Sequence, residues 1–526
     1  MQRPRAPRGR HGLRFLALAL AAALAPTAFA DPLKAPALTG PGSIAYDAEG
    51  IPLIRAASDN DVAFLQGYAH AEARFFQMDV TRRAVSGTLA ELVGPSQLAA
   101  DVQSRTIGLR RAAWLTWQAM SDDTRGWLKA YAEGVNYWLA THSLPPEYQA
   151  LELTRAEPWT PVDSICVGKG LAFQLSFDLD IDPTIAFGAY QQAAAAAGFD
   201  AAALYFGDTH RIAPADNRVT LPDFQPGGAL QAQPALRAAA DPLALGYAAA
   251  DIRRFDDDTL QQARAVRAKF AGNALFQHAF DRREALIGSN EWVVAGQHTV
   301  SGKPILSNDP HLSLIAPPVW WYVHLDTATK GGEQALDVEG VAFAGLPGVV
   351  LGFNRKLAWS ATTTGYDVTD VYDEQVTFRN DGTAGAPVWV PASVRFRGAD
   401  VPLQVVDEVI NIQSQAAETF KVYVVPHHGA LIPDSIVPPT SVADPHGRAM
   451  SVRYTGDVPT NELAFFVGLL SAGDFAAAET AQDNFRVGAQ NFSFASATDG
   501  IRWSTEARIP QRDPRACSFG YDASGV

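Results

Sequence analysis

The chain has 526 residues, 47% hydrophobic and 19% charged, an ordinary globular composition with length enough for a large core. Its formal net charge of −14 argues against a nucleic-acid partner. Two cysteines, Cys166 and Cys517, are too few for a disulfide framework or a zinc site and read as free thiols.

The first thirty residues stand apart. Arg3, Arg5, Arg8, Arg10 and Arg14 form a basic start, and the apolar run from Phe15 to Leu20 opens a stretch too short to span a bilayer. Ala28-Phe29-Ala30 is an A-x-A cleavage site, which makes residues 1–30 a signal peptide and Asp31 the mature start. Losing the five arginines takes the net charge from −14 to about −19. No other stretch reads as a membrane span. Export to a bacterial periplasm, without a stable membrane anchor, is the expectation.

Residues 41–56 read as strand, and Asp59 to about Leu92 as helix. His70 and Glu72 lie in that helix and are read as packing and salt-bridging residues. Residues 110–205 look mostly helical. Residues 225–250, rich in Ala, Pro, Gly and Gln, read as a loose surface segment, and 251–288 as charged and helix-like. Strand signals dominate after Ser289: Trp292–Val294, Val319–Val323, Gly348–Gly352 and Phe420–Val425. No internal repeat is present. Helices first and strands second predict an α+β chain, helices packed on stacked antiparallel sheets.

The chemistry centres on Gly288-Ser289-Asn290-Glu291-Trp292-Val293-Val294. The apolar, β-branched run after Ser289 is of the kind that makes a central strand. A cut between Gly288 and Ser289 would put a free α-amine on the residue that carries a hydroxyl. Such an amine has a pKa near 8 and can serve as a base at neutral pH. Nucleophile and base would then reside in one residue.

Ser289-Asn290-x-Trp292-Val293, followed by Asn308-Asp309-Pro310-His311, resembles the penicillin acylase family of N-terminal-nucleophile hydrolases. Four separated motifs match in order, and the resemblance covers nearly the whole chain after residue 40. It implies an αββα sandwich and a precursor that cuts itself into an α/β heterodimer. On this reading 31–250 is the α-chain region, 251–288 a spacer peptide that covers the site until cut away, and 289–526 the β-chain region. That last region has 238 residues, short beside its relatives, and reads as C-terminally truncated.

The resemblance also implies roles. Ser289 is the nucleophile. Thr363, just after Trp359-Ser360-Ala361-Thr362, supplies a backbone N–H to the oxyanion, and Asn491 supplies its side-chain amide. Arg512 orients the nucleophile's surroundings. His311 stands where relatives carry histidine or glutamine and could hydrogen-bond the serine. Asp367, Thr369 and Asp370, with Asp182 from the α-chain region, match a structural site for one calcium ion. Ser496 stands where relatives usually have aspartate.

The function implied is cleavage of small N-acyl amides through an acyl-enzyme on Ser289. The substrates implied are β-lactams such as penicillins or cephalosporins, N-acyl-homoserine lactones and acylated lipopeptides. The segments around Asn308–Leu312 and Ala316–Trp320 are closer to acyl-homoserine lactone and cephalosporin acylases than to benzylpenicillin-type enzymes. An alternative is a truncated or unprocessed homologue that binds acyl ligands without turnover. A metallohydrolase built on His427-His428 is disfavoured, because adjacent residues of a strand point to opposite faces.

Overall fold

The computed structural model describes residues 35–177, 179, 181–209, 255–276, 289–312, 314–327 and 335–511. The expected signal peptide, the 225–250 segment, Gly288, Arg512 and Cys517 lie outside the described residues.

Strands Ser43–Tyr46 (β1) and Pro52–Arg55 (β2) come first. The helices Asp59–Ser86 (α1), Ala90–Val93 (α2), Leu98–Ile107 (α3), Leu109–Ala119 (α4) and Asp122–Thr141 (α5) follow. Next come Pro146–Ala150 (α6), Pro161–Ser176 (α7), Ile181–Ala197 (α8), Ala201–Thr209 (α9) and Asp257–Phe270 (α10). Then the chain turns to strands: Ser289–Val294 (β3), Ile305–Pro310 (β4), Trp320–Asp326 (β5), Asp337–Phe343 (β6), Leu351–Phe353 (β7), Leu357–Thr363 (β8) and Thr369–Asn380 (β9). Trp389–Phe396 (β10), Ala399–Pro402 (β11), Gln404–Ile412 (β12), Gln415–Val425 (β13), Gly429–Leu431 (β14) and His446–Tyr454 (β15) continue it. Helices Glu462–Ser471 (α11) and Phe475–Gln482 (α12) precede Gln490–Ser496 (β16) and Gly500–Glu506 (β17). The chain is α+β, helical first and strand-rich second, as the order of helix and strand patterns in the sequence predicts.

Helix α1 is set by local chemistry. The Ser58 side chain accepts from the Asp61 N–H, Asp59 and Asp61 complement the dipole, and Gly87 at φ 66° ends the helix. It packs directly on α5. A Cβ on Gly67 would lie 2.1 Å from the Tyr131 carbonyl oxygen, and one on Gly134 would lie 1.9 Å from that of Phe64. Only glycine allows the two backbones to touch there. His70 is buried in this layer and hydrogen-bonds the Tyr131 hydroxyl at 2.6 Å, the packing role read from the sequence.

The helices cover one face of an eight-stranded sheet of order β1-β2-β5-β6-β7-β8-β16-β17. Its pairs are antiparallel except β2 with β5. Gly348–Val350, expected as strand, instead form the irregular segment that leads into β7. The Gln66 amide clamps it, accepting the Gly348 N–H at 2.7 Å and donating to its carbonyl at 2.9 Å. A seven-stranded sheet, β11-β10-β9-β15-β14-β13-β12, packs through Met450, Val452 and Tyr454 on α7 and α10. The third sheet is the hairpin β3–β4.

The described part of the expected spacer is built into the core. Asp256 caps α10 by accepting the Thr259 N–H, and Leu260, Val266 and Phe270 form its buried stripe. Phe276, just beyond, is also fully buried and meets Phe173 edge-on at 5.4 Å between centroids. Truncating one such phenylalanine costs ~3–5 kcal/mol.

A buried ionic cluster joins α1 to α7. Asp79 accepts from Arg82 at 2.7 Å, Arg83 at 3.0 Å and the Tyr148 hydroxyl at 2.6 Å. Arg82 also reaches Asp163 in the first turn of α7 at 3.1 Å. Breaking a buried pair by removing one partner costs ~3–5 kcal/mol. Asp79→Ala is therefore expected to lower unfolding free energy by about that amount, read from urea denaturation.

Candidate active site

Ser289 opens β3. Exposure alternates along this strand, with Ser289, Glu291 and Val293 turned inward and Asn290, Trp292 and Val294 outward. The outward face stays open, with Trp292 57% exposed. Among the described residues β3 pairs with β4 alone, Ser289 opposite Pro310, so it is a half-buried strand of a two-stranded sheet rather than a central one.

Such a hairpin needs an anchor. Asn308, opposite Glu291, donates to the Asn290 carbonyl at 2.9 Å and to the Ala361 carbonyl at 3.1 Å, and accepts the Ala361 N–H at 3.3 Å. The Ser360 hydroxyl donates to Glu291 at 2.8 Å. Three of these four bonds fix the hairpin to β8, and with it the place of Ser289.

Ser289 borders a cavity of about 130 Å³. The wall is mostly apolar. The sheet contributes Phe343, Ala361 and Phe492; α7 contributes Ile165 and Leu175; α11 contributes Leu463 and Phe466. Thr363 and Gln490, directly paired across β8 and β16, border it too. An apolar cavity with a few polar groups is the usual form of a small-molecule site.

The predicted residues fall differently about this cavity. Thr363 lies on its wall, at the end of β8. Asn491 sits between Gln490 and Phe492, which both line the cavity. Neighbours on a strand face opposite ways, so its side chain lies on the other face. There its amide donates to the Thr362 hydroxyl at 3.0 Å. His311 lies between cavity-lining Pro310 and Leu312, and its ring pairs with Asp309 at 2.8 Å. Arg512 is outside the described residues.

The predicted calcium ligands are not presented to one ion. Both oxygens of Asp182 are engaged by Arg267 of α10. Asp367 accepts the Thr369 N–H at 3.3 Å, and Asp370 lies in register with Arg453 on β15. Among the described residues no three His, Cys, Asp or Glu side chains cluster as a metal site. As placed, Asp182 has no free carboxylate, so the arrangement does not fit the expected ion.

A family model described as penicillin amidase matches residues 41–525. The chain belongs to the penicillin amidase family. Among relatives, acyl-homoserine lactone acylase QuiP of Pseudomonas aeruginosa is 32% identical over 360 residues, 67% of this chain and 36% of that protein. QuiP of Pseudomonas fluorescens is 29% identical over 496 residues, 93% of this chain and 52% of that protein. Penicillin acylase 2 proenzyme of a Pseudomonas species is 31% identical over 366 residues, 69% of this chain and 41% of that protein. The chain spans about half the length, or less, of these relatives. A solved penicillin G acylase from Alcaligenes faecalis aligns at TM-score 0.34 and 19% identity, over 43% of this chain and 37% of that one.

In this penicillin amidase family member, sequence reasoning missed the α7 and α11 wall. A lysine, Lys169, interrupts the apolar run from Ile165 to Phe173, and that was the available signal. The motif Asn308–His311 is legible in the sequence, whereas the clamping role of Asn308 depends on the strand register. Leaving a buried hydrogen-bonding group unpaired costs ~1–3 kcal/mol. Asn308→Ala is expected to destabilise the protein by about that much, with faster hydrogen exchange along Ser289–Val294 as the local readout.

Proposed function

We propose that the chain is an amide-cleaving acylase whose nucleophile is Ser289, acting on small N-acyl compounds of the acyl-homoserine lactone or β-lactam type. One observation carries this reading: the predicted nucleophile of a penicillin amidase family member borders an apolar cavity suited to an acyl chain. Maturation starts with attack of the Ser289 hydroxyl on the Gly288 carbonyl. The acyl group moves from nitrogen to oxygen, and water hydrolyses the ester, leaving residue 288 a carboxylate and Ser289 a free amine. That amine then takes the proton of its own hydroxyl during attack on the substrate carbonyl. The same proton passes to the departing amine, and water releases the acyl group as a carboxylic acid.

The oxyanion needs donors within ~3 Å in the reactive complex. The Thr363 N–H is the first, supported by its place on the cavity wall. Asn491 is the second. One of its amide hydrogens is committed to Thr362, so the role requires the side chain to turn from that partner. No step runs through calcium.

Described residues contain no helix long and apolar enough to cross a membrane. Separately, the basic, apolar start and Ala28-Phe29-Ala30 support a periplasmic site of action.

Ser289→Ala is expected to abolish both chain separation on a gel and acyl release from a panel of N-acyl-homoserine lactones and β-lactam amides. Two chains from that variant would overturn the assignment. An unsubstituted protein that stays an intact polypeptide and binds acyl ligands without turnover would instead support the non-catalytic alternative. Asn491→Ala is expected to lower kcat by ~10²–10³-fold, the usual loss for one oxyanion donor. In the mature protein the α chain is expected to retain α10 and Phe276, because both are core; an intact mass ending before residue 255 would contradict this.

A further inference from the structure

Glu291 is the one titratable side chain on the inward face of the β3–β4 hairpin. It shares that face with Ser289, two residues earlier, which puts the two ~6.5 Å apart along the strand. Its carboxylate accepts the Ser360 hydroxyl at 2.8 Å, and Ser360 is fully buried. Among the described residues no Lys, Arg or His pairs with it. The strands beneath the hairpin, β8 and β16, contain no titratable residue. Asp309, on the outward face of β4, is paired with His311 at 2.8 Å. Lys169 and Glu462 border the cavity from α7 and α11, and both bond the Thr460 hydroxyl. A half-buried carboxylate with no cation is costly. A cut between Gly288 and Ser289 creates a cation on the same strand.

We propose that Glu291 is a positioning residue for the base: its carboxylate holds the α-ammonium of Ser289, both after cleavage and when the amine takes the hydroxyl proton. The proposal rests on the acylase reading and names what steadies its base. During attack the Ser289 hydroxyl loses its proton to the amine, and a positive charge forms on the face that Glu291 shares. When that proton passes to the departing amine, the charge is gone. An opposite charge at this range favours the protonated amine and so strengthens the base. Glu291 itself neither gives nor takes a proton. The Ser360 hydroxyl fixes its carboxylate under the strand, where little water screens it.

The test reads the amine directly and does not depend on turnover alone. In the matured protein, one midpoint is the pH at which acetic anhydride half-labels the Ser289 amine, read by mass spectrometry of the peptide that begins there. The second is the acid limb of kcat. Glu291→Gln keeps an acceptor for Ser360 and removes the charge. It is expected to move both midpoints about one pH unit lower, since the ammonium loses its partner. The plateau kcat is expected to fall by up to about tenfold, the kinetic equivalent of one unit. Glu291→Asp, which keeps the charge, is expected to hold most of the wild-type midpoint. Ser360→Ala removes the anchor and keeps the charge, so thermal stability is expected to fall while the midpoints stay. Glu291→Met serves if Glu291→Gln does not fold. Midpoints unmoved in Glu291→Gln, or moved as far in Ser360→Ala, would overturn the proposal and leave the acylase reading intact. Chains that never separate in the unsubstituted protein would overturn both.

Discussion

The buried carboxylate of Asp79 is the interaction on which the rest hangs. It gathers Arg82, Arg83 and Tyr148, and Arg82 passes the constraint on to Asp163 at the start of α7. These charges are desolvated, so they hold together only in one geometry. Thr160 and Asp163 complete a capping box at the same helix end. The angle of α7 is thereby fixed, and α7 carries Lys169, Leu171 and Leu175 to the cavity. The glycine contact between α1 and α5 keeps the supporting layer thin enough for both to rest on the sheet.

The opposite side of the site obeys a different rule. A two-stranded sheet is marginal by itself. β3–β4 persists because Asn308 and Glu291 bond it to β8. The face of β8 and β16 under the hairpin is the polar one, with Ser360, Thr362, Asn491 and Ser493. The other face, with Trp359, Ala361, Phe492 and Phe494, meets the core or the cavity. Ser289 borders the cavity where β8 ends at Thr363. Ser289 is held there by the β3–β4 ladder that follows it.

α10 carries an apolar stripe beside its charged residues. Residues 251–288 are charged, which suggests a solvated cover. Arg267 pairs with Asp182 and Asp256 with Arg448, through side chains that stay 42% and 56% exposed. Between those charges lie Leu260, Val266 and Phe270, packed with Phe276 on α7 and the seven-stranded sheet. The same contact explains the misfit at Asp182: a guanidinium already supplies the positive charge that an ion would bring.

The order of helices and strands, the start of β3 at Ser289 and the family motifs were legible in the sequence, because period and local chemistry set them. The half-open face of β3 was not legible: Trp292 and Val294 look like core until the strand is known to have one partner among the described residues. What tertiary structure alone decided is which side chains meet. Whether Asn491 faces the cavity or the hairpin depends on the parity of its register with Thr362, and one residue of slip would reverse it. Lys169, Ser289 and Phe492 share one cavity across more than three hundred residues of chain. Their meeting follows from strand order and helix angle, which depend on long-range burial, whereas local sequence records only periodicity.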